Sequence, residues 1–111
     1  MNSSTGSAIV EWAPFEVAKH VTDVELLEAA NTIERDFLQK QKGYVRRELL
    51  KKEGRQWVDL VYWRSLEDAT MAAKDANESQ ACLQYFSLMN GVENAEEGIS
   101  HYTQINTWKK V

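Results

Sequence analysis

Few residues in this chain have side chains that could do chemistry, and their spacing is informative. The two histidines, His20 and His101, are the only imidazoles, so any imidazole base or ligand must be one of them. His20 falls just before a helix start and reads as a surface or capping residue. His101 sits beside Tyr102 in a β-branched and aromatic run, with Thr103 and Ile105 on its own parity, where it could accept a proton or orient a phenol. Asp59 is the more unusual group. It lies in Trp57-Val58-Asp59-Leu60-Val61-Tyr62-Trp63, and a carboxylate flanked at i±2 by Trp57 and Val61 must be exposed, paired or raised in pKa. Arg46 or Arg47 on a neighbouring strand could pair with it, as a structural ion pair or as the support of a catalytic or ligand-anchoring acid. Trp12, Tyr62, Trp63 and Tyr102 could line a flat aromatic pocket suited to a polycyclic or quinone-like ligand, or could be core and interface. Cys82 reads as filling on an apolar helix stripe. There is no metal-spaced cluster, phosphate loop or nucleophile elbow, so neither a metal nor a cofactor is expected.

These groups need elements to hold them. At 111 residues the chain fits one domain. A composition 43% hydrophobic and 27% charged, with one proline, belongs to a folded protein. Residues 1–7 are small and polar and are expected to form a tail, leaving 8–111 for the domain. Val10, Trp12, Phe15 and Val17 suggest a first strand whose alternation slips at Ala13-Pro14, with a bulge or an edge at the proline. Thr22-Asp23-Val24-Glu25 is a capping box. The helix it opens buries Leu26, Ala30, Ile33 and Phe37 and stops by Gly43. Tyr44 to Lys52 and Gln56 to Arg64 read as a hairpin turning at Gly54. Ser65 caps a second helix with a stripe of Leu66, Ala69, Ala72, Ala73 and Ala76. A break near Asn77-Glu78-Ser79 precedes a third helical piece carrying Cys82, Tyr85, Phe86 and Met89. Ile99 to Trp108 is the last strand.

The order strand, helix, strand, strand, helix, strand is the split βαβ pattern. It predicts an α+β, ferredoxin-like βαββαβ fold, a four-stranded antiparallel sheet with helices on one face. Strand three is apolar on both parities: Val58, Leu60 and Tyr62 on one, Trp57, Val61 and Trp63 on the other. A sheet with a single helical layer would leave one apolar face in water. At roughly 25 cal/mol per Å², burying two tryptophans and a valine would contribute several kcal/mol toward pairing, so a homodimer is expected.

The stretch Trp57 to Trp63, then Arg-Ser-Leu-Glu-Asp-Ala69, then Ser79 to Phe86, resembles the antibiotic biosynthesis monooxygenase-like group of dimeric α/β-barrel proteins. The likeness extends over about Ile9 to Trp108. It implies sheet-against-sheet dimers with ligands between the sheet and helices of each subunit, and possible cofactor-independent monooxygenase-like action on a small aromatic compound. Catalytic roles would then fall to His101 and Asp59, and ligand contacts to Trp12, Tyr62, Trp63 and Tyr102. Members of this group often carry a histidine on the helix after the strand-three tryptophan, at a position near Ala73 here; this chain has alanine. A non-catalytic small-molecule-binding or structural homodimer, or an assembly module of a larger complex, is the alternative. The formal net charge of −4 and the absence of a basic footprint argue against nucleic acid as a partner. With no apolar run long enough for a membrane span and one unpaired cysteine, a reducing cytoplasm and no membrane partner are expected.

Overall fold

The computed structural model describes residues 8–111, so the expected N-terminal tail, residues 1–7, lies outside the described residues. The elements run β1 (Ile9–Glu16), α1 (Asp23–Asp36), a 3-10 turn (Leu38–Lys40), β2 (Tyr44–Lys51), β3 (Gln56–Trp63), α2 (Leu66–Ala76), α3 (Gln80–Ser87) and β4 (Ser100–Thr103). The four strands form one antiparallel sheet in the order β2-β3-β1-β4, the ferredoxin-like arrangement, with the helices against one face.

Local chemistry sets the helix starts. Thr22 accepts from the Glu25 amide while Glu25 accepts from the Thr22 amide, and that hydrogen bond holds the Glu25 carboxyl below its ordinary value. Ser65 and Ser79 cap α2 and α3 in one direction only, each accepting from the amide three residues on. Thr22→Ala should therefore cost about 1 kcal/mol of stability, measured by urea unfolding. A loss below about 0.2 kcal/mol would show that the box contributes nothing.

Leu26, Ala30, Ile33 and Phe37 are all buried, as their spacing requires. The first helix nevertheless ends at Asp36 rather than reaching Gly43. Gly43 (φ 81) instead turns the chain into β2, and a Cβ there would collide with the Asp68 side chain. On α2, Ala69, Ala72 and Ala76 are buried against the sheet, but Leu66, in the first turn, is exposed.

The last strand is shorter than its β propensity suggested. Pairing with β1 stops at Ile9↔Thr103, with one further bond from the Gln104 amide to the Ala8 carbonyl. Beyond that point no described strand lies alongside, and Ile105 and Trp108 are exposed. β1 keeps regular register with β3 from Ile9 to Glu16 and carries no bulge. Pro14, which has no amide hydrogen, falls past the end of β4, where β1 is an edge on that side. The register shift lies in β2 instead, between Tyr44 and Arg46.

The register also decides which face of β3 is inside. Trp57, Asp59, Val61 and Trp63 lie under the helices and are buried, whereas Val58, Leu60 and Tyr62 look out from the open side. The tryptophans expected on an uncovered face are thus core. The uncovered face is carried by Val10, Trp12, Leu50, Leu60, Tyr62 and Tyr102, with Trp12 40% and Tyr102 59% exposed.

Candidate functional site

The inner face of the sheet and the helices border a cavity of about 110 Å³. An apolar cavity of about 150 Å³ accepts benzene. This one is therefore on the scale of a single aromatic ring rather than a polycycle. Its wall is mostly apolar, built from residues such as Phe15, Ile33, Val61, Ala72 and Phe86. Ala73, where the resembling group often has a histidine, is part of that wall, so the helix offers space and no imidazole there.

Asp59 enters this wall from β3 because its parity is the buried one. Its Oδ1 accepts from Arg47 Nε at 2.7 Å, and its Oδ2 accepts from the Tyr85 hydroxyl at 2.7 Å and from Arg47 Nη2 at 3.4 Å. Arg47 reaches it because it lies two residues along β2 from Leu49, the direct partner of Asp59, and so on the same face. The same guanidinium donates from Nη1 to the Ala30 carbonyl at 2.9 Å and lies with its Cζ 5.5 Å from the Tyr85 ring centroid. Behind it, the Tyr44 hydroxyl donates to Glu34 at 2.8 Å. Side-chain exposures of 9% for Arg47 and 10% for Asp59 place this ion pair inside the protein.

The electrostatics follow from that burial. Burial opposes the Arg47 charge, but the Asp59 carboxylate more than offsets it and raises the guanidinium above its ordinary value, so Arg47 stays charged. Burial, followed by the Asp59 charge, pushes the Tyr85 phenol well up, so it remains a protonated donor. Tyr44 is raised by burial and by its bond to Glu34. Both phenols bind their protons more tightly folded than unfolded. The stability they contribute is therefore complete below about pH 10, where unfolded tyrosines begin to ionise, and is lost as pH rises through the folded values. Urea unfolding should show stability falling as pH rises above about 10. Tyr44→Phe should flatten that fall, and an unchanged slope would contradict the assignment.

At the other end of the strand pair, Glu11 also faces the cavity. Its Oε1 accepts from Trp63 Nε1 at 3.2 Å and lies 3.6 Å from His101 Nε2. His101 stands opposite Glu11 on β4, and its Nε2 is buried with no hydrogen-bond partner. It does not itself line the cavity; Glu11 stands between. Cys82 is buried on the wall, where loss of solvation pushes its thiol up and keeps it protonated.

The six residues singled out from the sequence therefore separate. Asp59 and Trp63 line the cavity, and His101 backs it through Glu11. Trp12, Tyr62 and Tyr102 are on the opposite face of the sheet and form no pocket with Trp63. Three residues of the site were not read from sequence as functional: Glu11, Arg47 as part of a cavity wall, and Tyr85. Glu11 had a readable signal. It interrupts the apolar set Ile9, Ala13, Phe15 and Val17 just as Asp59 interrupts Trp57, Val61 and Trp63. His20 is exposed, and no group of three or more candidate metal ligands occurs among the described residues. No described helix is long and apolar enough to cross a membrane.

No protein-family model matches the chain, and no curated protein matches it by sequence. Solved structures do match its fold. SnoaB, a cofactor-independent oxygenase from Streptomyces nogalater, superposes with a TM-score of 0.65 at 18% identity, over 94% of this chain and 99% of that one. A conserved protein from Methanosarcina mazei Go1 gives 0.64 at 15% identity, over 89% and 94%. A candidate antibiotic biosynthesis monooxygenase from Nitrosomonas europaea gives 0.62 at 15% identity, over 94% and 96%. At these identities the likeness establishes the fold, the one implied by the resemblance in Trp57 to Trp63 and the segments that follow.

Proposed function

We propose that the chain is a cofactor-independent monooxygenase-like enzyme acting on a small, single-ring, electron-rich phenol bound between sheet and helices. The observation carrying this reading is the buried Asp59–Arg47–Tyr85 group, set in a mostly apolar wall around a ring-sized volume. Its support from outside is the shared fold with a protein described as a cofactor-independent oxygenase. Asp59, held by Arg47, fixes the Tyr85 hydroxyl as a donor that is already committed, which leaves the Tyr85 oxygen to accept from a ligand hydroxyl. The apolar remainder excludes water and favours the ring. A phenol held this way and deprotonated supplies the electrons for dioxygen itself. One oxygen atom bonds to a ring carbon in place of its hydrogen, the other leaves as water with two substrate hydrogens, and the ring ends as a quinone.

The test is hydroquinone incubated with isotopically labelled dioxygen. The expected product is hydroxyquinone carrying one labelled oxygen, formed at least about tenfold more slowly by Tyr85→Phe, in the range of a lost positioning hydrogen bond. Unlabelled benzoquinone with hydrogen peroxide as the only products would overturn the reading.

The working unit is a homodimer packed through the open sheet face. The observation in favour is that Trp12, Leu60, Tyr62 and Tyr102 form an apolar surface on a face that no helix covers. Light scattering should give twice the chain mass, and Leu60→Lys the single mass. A wild-type monomer at micromolar concentration would remove the dimer. A single buried Cys82, with no second cysteine in the chain to pair with, fits a reducing cytoplasm, and nucleic acid has no place in this reading.

A further inference from the structure

Three carboxylates border the cavity: Glu97 is exposed and accepts from the Glu93 amide, while Glu11 and Asp59 on the sheet have surroundings that differ in a way that separates their roles. Asp59 is nearly saturated: two guanidinium nitrogens and a phenol already donate to it. With those acceptor positions filled, it offers little room for a proton from a ligand. Glu11 has a neutral indole donor on Oε1, while Oε2 has no partner among the described residues. Glu11 is opposite Val61 and shares the inner face with Asp59, diagonally across β1 and β3. Such diagonal positions are about 7–8 Å apart, so a ring seated against Tyr85 lies within reach of Glu11.

His101 supplies the second observation. Its Nε2 is buried and unpaired, 3.6 Å from Glu11 Oε1, while the ring keeps 21% of its side-chain surface exposed. Leaving a buried nitrogen unpaired is unfavourable in a finished fold. It is suited to a site through which a proton passes.

We infer that Glu11 is the proton-accepting catalytic residue of the cavity and that His101 carries its proton out to solvent. This inference rests on reading the cavity as the ligand site. In the step it describes, an acidic O–H or C–H bond of the ligand breaks, the electron pair stays on the ligand, and the proton goes to Glu11. The proton then passes to His101 Nε2 and from the partly exposed imidazole to water. Nothing is oxidised or reduced.

A base in an apolar cavity can be assayed without the natural substrate or dioxygen. Nitrobenzisoxazole, a ligand with one aromatic ring fused to a small heterocycle, loses its heterocyclic C–H proton to a base while its N–O bond opens, and the coloured phenolate is read directly. The wild-type protein should show saturable elimination. Glu11→Gln should lower kcat/KM by about 10²-fold or more, with the fold kept, because the amide oxygen still accepts from Trp63. Glu11→Asp should retain part of the rate. His101→Gln should lower it less, and added imidazole should restore part of the loss, as expected for a residue that passes the proton on. Arg47, Asp59 and Glu97, the other charged groups on the wall, are untouched in that variant. A Glu11→Gln protein that eliminates at the wild-type rate overturns the inference, as does a wild type without saturable elimination. Elimination that depends on Glu11, in a protein that fails to oxygenate hydroquinone, confirms the base and removes only the oxygenase reading.

Discussion

Arg47→Met is expected to destabilise the protein by about 3–5 kcal/mol, because it leaves the Asp59 carboxylate buried without its cation. For a domain of this size that is a fall in Tm of more than about 12 °C. The loss comes from the orphaned charge and not from the worth of the pair itself, since a buried ion pair repays little beyond its own desolvation. The triple variant Arg47→Met, Asp59→Leu, Tyr85→Phe removes the carboxylate together with its donors and should recover most of the stability. It should also have no ligand binding. Thermal and urea unfolding of both variants check this. A single variant within about 1 kcal/mol of wild type would mean that Asp59 reaches solvent, contrary to its burial.

Trp63→Ala should cost about 3–5 kcal/mol by the same measurements. Trp63 is 2% exposed and packs edge-on to Tyr44 at 5.8 Å, so truncation opens a void that the rigid sheet cannot close. Trp63→Phe should cost about 1–2 kcal/mol, as most of the packing survives. It also deletes the indole donor to Glu11, so base-dependent elimination should change in this variant by more than its stability would suggest. If Trp63→Ala unfolded at the wild-type temperature, the packing described for β3 would be wrong.

How much of this was legible in the sequence depended on the range of the interaction. Thr22, Ser65 and Ser79 bond to amides three residues away, so the helix starts could be read directly. The Asp59–Arg47 pair was within reach because hairpin partners are near in sequence. The facing of β3 was not, because Val58, Leu60 and Tyr62 make as good an apolar set as Trp57, Val61 and Trp63. The buried set is the one that shares its face with Phe15 and with Ala13, the small residue opposite Asp59 on β1. The slip assigned to Ala13-Pro14 came from reading Val10 and Trp12 together with Phe15 and Val17, which lie on opposite faces of one regular strand. That choice hid Glu11, which belongs with Phe15. The bond from Tyr85 to Asp59 spans 26 residues and joins a helix stripe to a strand, so the apolar stripe was readable and its polar end was not. Ile105 and Trp108 have strand-forming character but no neighbouring strand, and a sheet cannot be extended by propensity alone.

The claim that the ligand sits between sheet and helices has a direct test in the four tryptophan indole signals of a nitrogen-15 NMR spectrum. Trp63 is at the cavity, Trp12 is on the open sheet face, Trp57 is buried beyond the cavity lining, and Trp108 is exposed near the C-terminus. Titration with hydroquinone should move the Trp63 indole signal in a saturable way while those of Trp12 and Trp108 stay in place. Saturable movement of Trp12 or Trp108 with Trp63 unmoved would place the ligand on the other side of the sheet and contradict the account.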